Sequence, residues 1–419
     1  MSLKVLILHP RSRGFSHLRV LSLCGVLKQK HIEFKCIELL PEHRYSDSMQ
    51  AQIFTQSQAA HAVLTVGPYL PALFTPFVHP NTPLWLDWPS DPLADGHAKN
   101  SAAREDNLLV PHNSHFSIME SVSLGLKRAD QIGVISERAR WSLLGQLLLL
   151  ESPDSNPNSR IWTTPVCFDF PTPSLIAKER AQDEPMTIAL CGSYNSWLWD
   201  KELMKGLEAF LHISPDSKVL LMGGSAEDHY DQGWIRAQNW GKSTPQAQIV
   251  GWCSEAEFEG YLRQCDVGIW LDRPGIEPLL GSRTRALFFA WVGLQIIGSI
   301  SCELADMMSK KGILLSASTA SEVQAKLLEA QSQKNTHLKQ QQRFEALKSQ
   351  SPEQVFKPLI EWLNNPIRLP SLLPEKVHQQ AEIIQNLAQE LKRIHTSPTW
   401  KYGSKLNRML NRIFIKSNH

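Results

Sequence analysis

Neither sign of charge dominates this 419-residue chain: Lys+Arg 43 stands against Asp+Glu 41, for a formal net charge of +2. That balance argues against a general polyanion or nucleic-acid binder, since the basic residues concentrate only in the C-terminal tail. No C-x-x-C pair occurs among the seven cysteines, at 24, 36, 167, 191, 253, 265 and 302. The odd count and the spacing speak against a disulfide framework or zinc ribbon and for a reducing compartment. No apolar run reaches the ~20 residues of a membrane span; the longest lie near Leu143–Leu150 and Ala286–Ile297. The opening MSLKVLILHP is too short for a signal h-region and reads as a strand. A cytoplasmic protein is expected.

The missing motifs narrow the chemistry. No two glycines are separated by one residue, so the G-x-G-x-x-G dinucleotide fingerprint is absent. Gly241-Lys242-Ser243 imitates the end of a P-loop, but the glycine required five positions earlier is Arg236. There is no H-E-x-x-H, no G-x-S-x-G, and no D-x-D to hold a divalent ion against a diphosphate. No metal ligand set is visible in the sequence.

What is present alternates between strands and helices. Lys4–His9 is a short apolar run of the kind buried on both faces, followed by a basic, glycine-containing loop and a helix that Ser16 can cap. Strands are predicted at Glu33–Leu39, Ala62–Val66, Leu84–Asp87 and Gln131–Ile135, with helices at Ser114–Lys127 and Glu137–Leu148. After polar breaks at Glu151–Arg160 and Phe170–Pro185 the alternation restarts. Strands are expected at Thr187–Cys191, Lys218–Met222, Gln248–Val250, Asp266–Leu271, Gln295–Ile297 and Ile313–Leu315, with helices at Lys201–Leu211, Ser254–Arg263 and Ser301–Ser309. This is an α/β pattern of two Rossmann-like doubly wound domains, residues 1–170 and 186–365, joined by a linker at 171–185 with a ligand cleft between them. Beyond them, Val377, Ala381, Ile384, Ala388, Leu391 and His395 form an a/d-like seam within a tail helix at 366–397. A basic amphipathic helix at 398–419 follows, with Leu406, Met409, Leu410, Ile413 and Phe414 on one face and five Lys/Arg on another. It suits an anionic membrane surface, and packing on the body or self-association through 374–416 suits it equally.

Strand ends are where open α/β sheets bind ligands, and three groups of residues gather there. Glu277-Pro278-Leu279-Leu280-Gly281-Ser282-Arg283-Thr284-Arg285 leads from a strand into a helix N-terminus, where free N–H groups and the dipole attract anions. Ser282 and Thr284 add hydroxyls, and Arg283 and Arg285 supply guanidinium forks matched to phosphate; pairing with surface carboxylates is the plainer alternative. In Cys191–Asp200, Gly192 lets backbone approach a ligand, Ser193 and Asn195 offer polar groups, and Trp197 can cover a base or sugar or simply fill the interdomain core. In the first half, Gly14 and His17 sit in the loop after the first strand, and Asp87 and Asp91 follow another. Those carboxylates can hold sugar hydroxyls or take a proton, or they can be turn formers beside proline.

With these segments in place the sequence resembles a two-domain glycosyltransferase of the GT-B type, close to family 4 and to bacterial members. Pro83–Lys99, Gly192–Asp200 and Glu277–Leu294 carry the resemblance, which spans residues 1 to about 365. It implies a nucleotide-sugar donor held by the second domain and a saccharide or lipid-linked acceptor held by the first. It also implies transfer with retained configuration and no bound metal, while the basic tail helix suits work on surface polysaccharide at the inner face of the membrane. Arg283 and Arg285 would then stabilise the leaving diphosphate, with Asp87, Asp91 and His17 orienting sugar or acceptor. Gly14, Gly192, Ser193, Asn195, Trp197, Glu277, Gly281, Ser282 and Thr284 would line the donor site. The sequence departs from the family's E-x7-E pair: counting back from Gly293 places Phe288 and Leu280 there, with Glu277 the nearest acid. A non-catalytic scaffold and a nucleotide-sugar epimerase on the same fold are the alternatives.

Overall fold

The computed structural model describes residues 3–11, 14–67, 69–107, 114–150, 157–169, 180–195, 197–225 and 232–369. The tail at 370–419, with its expected seam and basic helix, and most of the linker lie outside the described residues, as do residues 226–231.

Among the described residues, twelve strands form two parallel sheets. The first contains β1 (Lys4–Pro10), β2 (Glu33–Leu39), β3 (Ala62–Val66), β4 (Leu84–Trp88), β5 (Gln131–Val134) and β6 (Ile161–Thr163), in the order β2-β1-β3-β4-β5-β6. The second contains β7 (Thr187–Leu190), β8 (Lys218–Met222), β9 (Ala247–Gly251), β10 (Val267–Ile269), β11 (Gln295–Gly298) and β12 (Leu314–Ser316), in the order β12-β11-β10-β7-β8-β9. Parallel neighbours need helical crossovers. Those of the first half are α1 (Phe15–Gln29), α2 (Asp47–Gln58), α3 (Leu70–Leu73), α4 (Pro92–Glu105), α5 (Ser114–Arg128) and α6 (Glu137–Leu150). In the second half come α7 (Asp200–Ile213), α8 (Gly233–Ser243), α9 (Glu255–Arg263), α10 (Ile276–Leu280), α11 (Thr284–Trp291), α12 (Glu303–Lys310), α13 (Ala320–Gln331), α14 (His337–Glu345), α15 (Pro352–Val355) and α16 (Lys357–Asn364).

The central strands read as the sequence predicts for strands covered on both faces: every residue of β3 (AVLTV) and β4 (LWLDW) is buried. Strand order reverses between β1 and β3 in the first sheet and between β7 and β10 in the second. These are the switch points where neighbouring loops diverge and leave a crevice.

The last helices return to the first sheet instead of extending the second. Val355, Phe356, Leu359 and Leu363 join the core formed by β1, β3 and α1. The ring of Trp362 lies 5.6 Å from Trp85 of β4. The expected second domain, 186–365, therefore contains a segment that packs on the first, because α15 and α16 carry the apolar face that completes the first domain's core. One cap also differs from expectation. α1 begins at Phe15 with Gly14 as its N-cap residue and no side-chain cap, so Ser16 lies inside the first turn.

Candidate active site

The C-terminal edges of the two sheets face each other. Phe15 and Leu18, in the first turn of α1, pack on the core of the second domain. Ser136 caps α6 by accepting from the Ala139 N–H at 3.0 Å, and its hydroxyl donates to the Leu280 carbonyl across the cleft at 3.3 Å. Glu303 of α12 accepts from the backbone N–H of Glu137 and Arg138 at 3.0 and 2.6 Å, so a carboxylate of one domain satisfies the free amides of the other's helix. At the opposite side Asp106 pairs with Arg236 at 2.6 Å and with Lys201 at 3.4 Å, and Glu105 pairs with Arg273.

On the second domain, the loops after β7, β8 and β9 are laced together through glycine. Gly192, at φ +94°, donates to Met222 and accepts from Gly224, and Gly223, at φ +108°, donates to Gly251. A Cβ on Gly223 would stand 2.1 Å from the Gly192 carbonyl oxygen, so only glycine permits this approach. Arg285, in the first turn of α11, reaches under the Gly192 turn and donates from Nη2 to the Ser193 carbonyl at 2.8 Å. Gly192, Ser193 and Arg285 thus meet at the β7/β10 switch point. Asn195 and Trp197 continue the same loop half-buried, the Trp197 carbonyl accepting from Arg273 N–H at 2.8 Å. Ser282 and Thr284 are half-buried beside Arg285 at the α11 N-terminus, and Gly281 closes α10.

The two arginines do not share one environment. Arg283 is 2% exposed and is spent on carboxylates: its Nε donates to Asp272 at 2.6 Å, and its Nη2 and Nη1 donate to Glu277 at 2.9 and 3.2 Å. Burial works against its charge, but Asp272 and Glu277 hold it above the ordinary guanidinium range. The expectation that Arg283 faces a phosphate therefore fails, because two buried acids already neutralise it. Arg285 is half-buried and has no carboxylate partner among the described residues; burial, reinforced by Arg283, pushes its pKa below the ordinary value. It is a desolvated cation short of a counter-charge.

Glu277 shares the same cluster. Burial raises its carboxyl to about 7 despite the Arg283 contact, and Asp95 across the domain boundary adds to the rise. Asp95 itself is lifted to about 6, chiefly by burial, while it accepts from Ser90 at 2.8 Å.

The first-domain acids are structural. Asp87 is 2% exposed and forms a bidentate pair with Arg19, both contacts at 2.8 Å, while the Arg19 guanidinium lies 4.4 Å from the Phe356 ring. Asp91 accepts from Leu93 N and Ala94 N at 3.0 Å as the cap of α4, and from Ser142 and Gln146 at 2.7 and 3.0 Å. Neither carboxylate is free to hold a sugar or take a proton. His17 is exposed in the first turn of α1, its N–H bonded to Gly14 O at 3.1 Å, and Gly14 lies beside it. Phe288, standing where the resemblance puts the second acid, stacks on Phe168 at 4.4 Å.

Sequence reasoning missed Arg19, Asp272, Asp95 and Trp252. The indole of Trp252, 42% exposed at the end of β9, lies against the Gly224 turn. Its only signal in the sequence is an aromatic directly after a strand-ending glycine.

No protein-family model and no curated protein matches this chain. Solved structures do match it. HepE from Anabaena in complex with UDP-glucose aligns at TM-score 0.60 and 12% identity, over 86% of this chain and 99% of that one. Sucrose-phosphate synthase from Thermosynechococcus elongatus aligns at 0.60 and 12% identity, over 86% and 98%. The fold is GT-B. A glycosyltransferase from Rickettsia africae is a further neighbour, at TM-score 0.52 and 13% identity over 87% and 98%. At these identities the GT-B likeness speaks for architecture, and the chemistry rests on the site itself.

Proposed function

We propose that this GT-B protein is a glycosyltransferase that takes a sugar from a nucleotide-sugar donor and passes it to a saccharide or lipid-linked acceptor. The observation that carries the reading is Arg285: a desolvated guanidinium with no ion pair among the described residues, at the switch point of the second sheet and in the first turn of α11. In such a transfer, charge grows on the leaving diphosphate as the glycosidic bond breaks. A fixed cation aimed there is worth about 3–4 kcal/mol in the transition state. In this reading Arg285, Ser282, Thr284 and the α11 amides hold the diphosphate, Gly192 and Ser193 let it approach, and Trp252 offers a face to the base. Arg283 is a positioning residue that fixes the α10–α11 turn through Asp272 and Glu277. His17 and Gly14 face the acceptor side.

The neighbour HepE binds UDP-glucose, which supports a uridine donor as the first to try. Transfer without a metal ion is part of the same proposal, because the positive charge at the diphosphate would come from the protein, and retention of configuration is taken with it as the GT-B resemblance implies. A cytoplasmic setting with acceptors drawn from surface polysaccharide synthesis, reached through the basic tail on the inner face of the membrane, completes it.

Calorimetry with UDP-, GDP- and dTDP-sugars, followed by NMR of the products, tests the reading. Binding of one class, abolished in Arg285→Ala, is the expected result; no binding to any sugar nucleotide overturns it. The engagement of Asp87, Asp91 and Arg283 in structural contacts favours a second reading, a scaffold that binds the nucleotide and does no chemistry. Donor binding without turnover over a panel of acceptors selects it.

A further inference from the structure

A second group of reactive side chains lies away from the donor edge. In a parallel pair, residues in register point to one face, so Ile7 with Cys36 and His9 with Glu38 share a side of the first sheet. α1 covers that side, since Ile7 packs with Val20, Leu23 and Leu27 of the helix. Cys24, the next residue after Leu23, brings its Sγ to 3.9 Å from the Cys36 Sγ. Cys36 is exposed and Cys24 half-buried. The His9 Nδ1 lies 3.1 Å from the Pro10 carbonyl, which can only accept, so Nδ1 carries hydrogen in this contact, and the ring also acts on Cys36. Lys28, one turn on from Cys24, adds positive charge, and Glu38 stands beside His9 with Arg11 at 2.7 Å.

We propose that Cys24 and Cys36 are a peroxide-reactive dithiol, in which Cys36 attacks, Cys24 resolves and His9 positions the attacking sulfur. The charges support the assignment of roles. The hydrogen bond shared with Cys24, the nearby His9 and Lys28 bring Cys36 down to about 5 against the effect of its burial. The bond shared with Cys36, reinforced by burial, holds Cys24 above the ordinary thiol range, and Cys36 likewise lifts His9 above its own. A low-lying, accessible thiolate next to a second thiol is the arrangement that reacts fastest with peroxide and then closes to a disulfide.

The steps balance. The Cys36 thiolate attacks one oxygen of hydrogen peroxide; the O–O bond breaks and the departing hydroxide takes a proton to become water, leaving a sulfenic acid. Cys24 then attacks that sulfur, its proton goes to the departing oxygen, and a second water leaves. Two thiols and one peroxide give one disulfide and two waters, the peroxide taking up the two electrons. An S–S bond is about 2.05 Å long, so the sulfurs approach by about 1.9 Å, less than a change of one rotamer moves a Cys Sγ. The cross-link joins the edge strand β2 to α1, whose first turn lines the cleft.

The test uses the full chain. After brief exposure to hydrogen peroxide, free thiols are blocked with N-ethylmaleimide and the protein is digested without reductant for mass spectrometry. The expected product is the Cys24–Cys36 linked peptide, with half-buried Cys253 still a free thiol. In Cys24→Ser the Cys36 sulfenic acid persists and is trapped by dimedone. At pH near 6, Cys36 alkylates with iodoacetamide about tenfold faster than Cys253, the gain in thiolate outweighing its lower nucleophilicity. His9→Gln raises the midpoint of that pH profile, which a merely structural histidine would not do. Equal alkylation of Cys36 and Cys253, or absence of the linked peptide while both thiols remain open to N-ethylmaleimide, overturns the proposal.

Discussion

Arg283 and Arg285 are two residues apart and have opposite electrostatic roles. Arg283 is matched by Asp272 and Glu277, whereas Arg285 touches only a carbonyl among the described residues. Arg283→Ala leaves two buried carboxylates without their cation, and a loss of about 3–5 kcal/mol in urea unfolding is expected. Arg285→Ala should leave the unfolding midpoint nearly unchanged and lower kcat/KM for the donor by about 100-fold or more. The opposite pattern would return the phosphate role to Arg283. Glu277 supplies a pH dependence. Its folded value, about 7, lies above the ordinary carboxylate value, so the folded protein binds more protons than the unfolded chain between the two. Its contribution to stability is complete below the ordinary value and falls as pH rises toward 7. Urea unfolding of the wild type should therefore lose stability across that window more steeply than Glu277→Gln. Asp95, lifted to about 6, keeps part of the slope in the variant. Equal slopes would mean that Glu277 is not the titrating group.

At the scale of the element, two helices at the domain boundary, α4 and α6, are held by their first turns. α4 starts at Asp91, whose carboxylate takes two backbone N–H groups and ties the helix to Ser142 and Gln146 of α6. Asp91→Ala should cost about 1–2 kcal/mol from the cap alone. The side-chain bonds to α6 add to that, and chemical unfolding followed by circular dichroism measures the sum. Since Asp91 is given no contact with substrate, donor affinity measured well below the melting temperature should survive; its loss would restore a sugar-binding role. α6 carries the complementary device, an N-terminus capped from within by Ser136 and from the other domain by Glu303. α1 opens on Gly14 without a side-chain cap and without an acid in its first turn, where Gly14 O accepts from the N–H groups of His17 and Leu18.

Over the whole molecule the two domains are joined by polar contacts and by apolar packing, Phe15 and Leu18 of α1 among the latter. Asp106 pairs with Arg236, which also holds Asp200 at the start of α7, and with Lys201. These pairs are partly exposed, so salt weakens them, whereas the return of α15 and α16 onto the first sheet is apolar and does not respond to salt. Asp106→Asn should make the radius of gyration from small-angle scattering larger at low salt and insensitive to salt between about 0.05 and 0.5 M. The wild type should expand over the same range. A wild-type radius that ignores salt would assign the closed arrangement to the apolar contacts alone.

The strands were legible because a buried parallel strand writes itself as a continuous apolar run: β3 and β8 occupy the predicted bounds, as does the partly exposed edge strand β2, and the α/β alternation led to two doubly wound sheets. β6 was not, because three residues between polar breaks leave no period to read. Glycine and arginine at strand ends also marked the α10–α11 turn and the Gly192 loop. Partnership was the part that only the folded chain decided. Asp87 finds Arg19 sixty-eight residues earlier, Arg283 finds Asp272 across the α10 turn, and Arg285 finds the Ser193 carbonyl ninety-two residues away. Residue type and local spacing determine which groups stand at the sheet edge. Which of them is already neutralised, and which still needs an anion, depends on distances between segments that only tertiary packing sets.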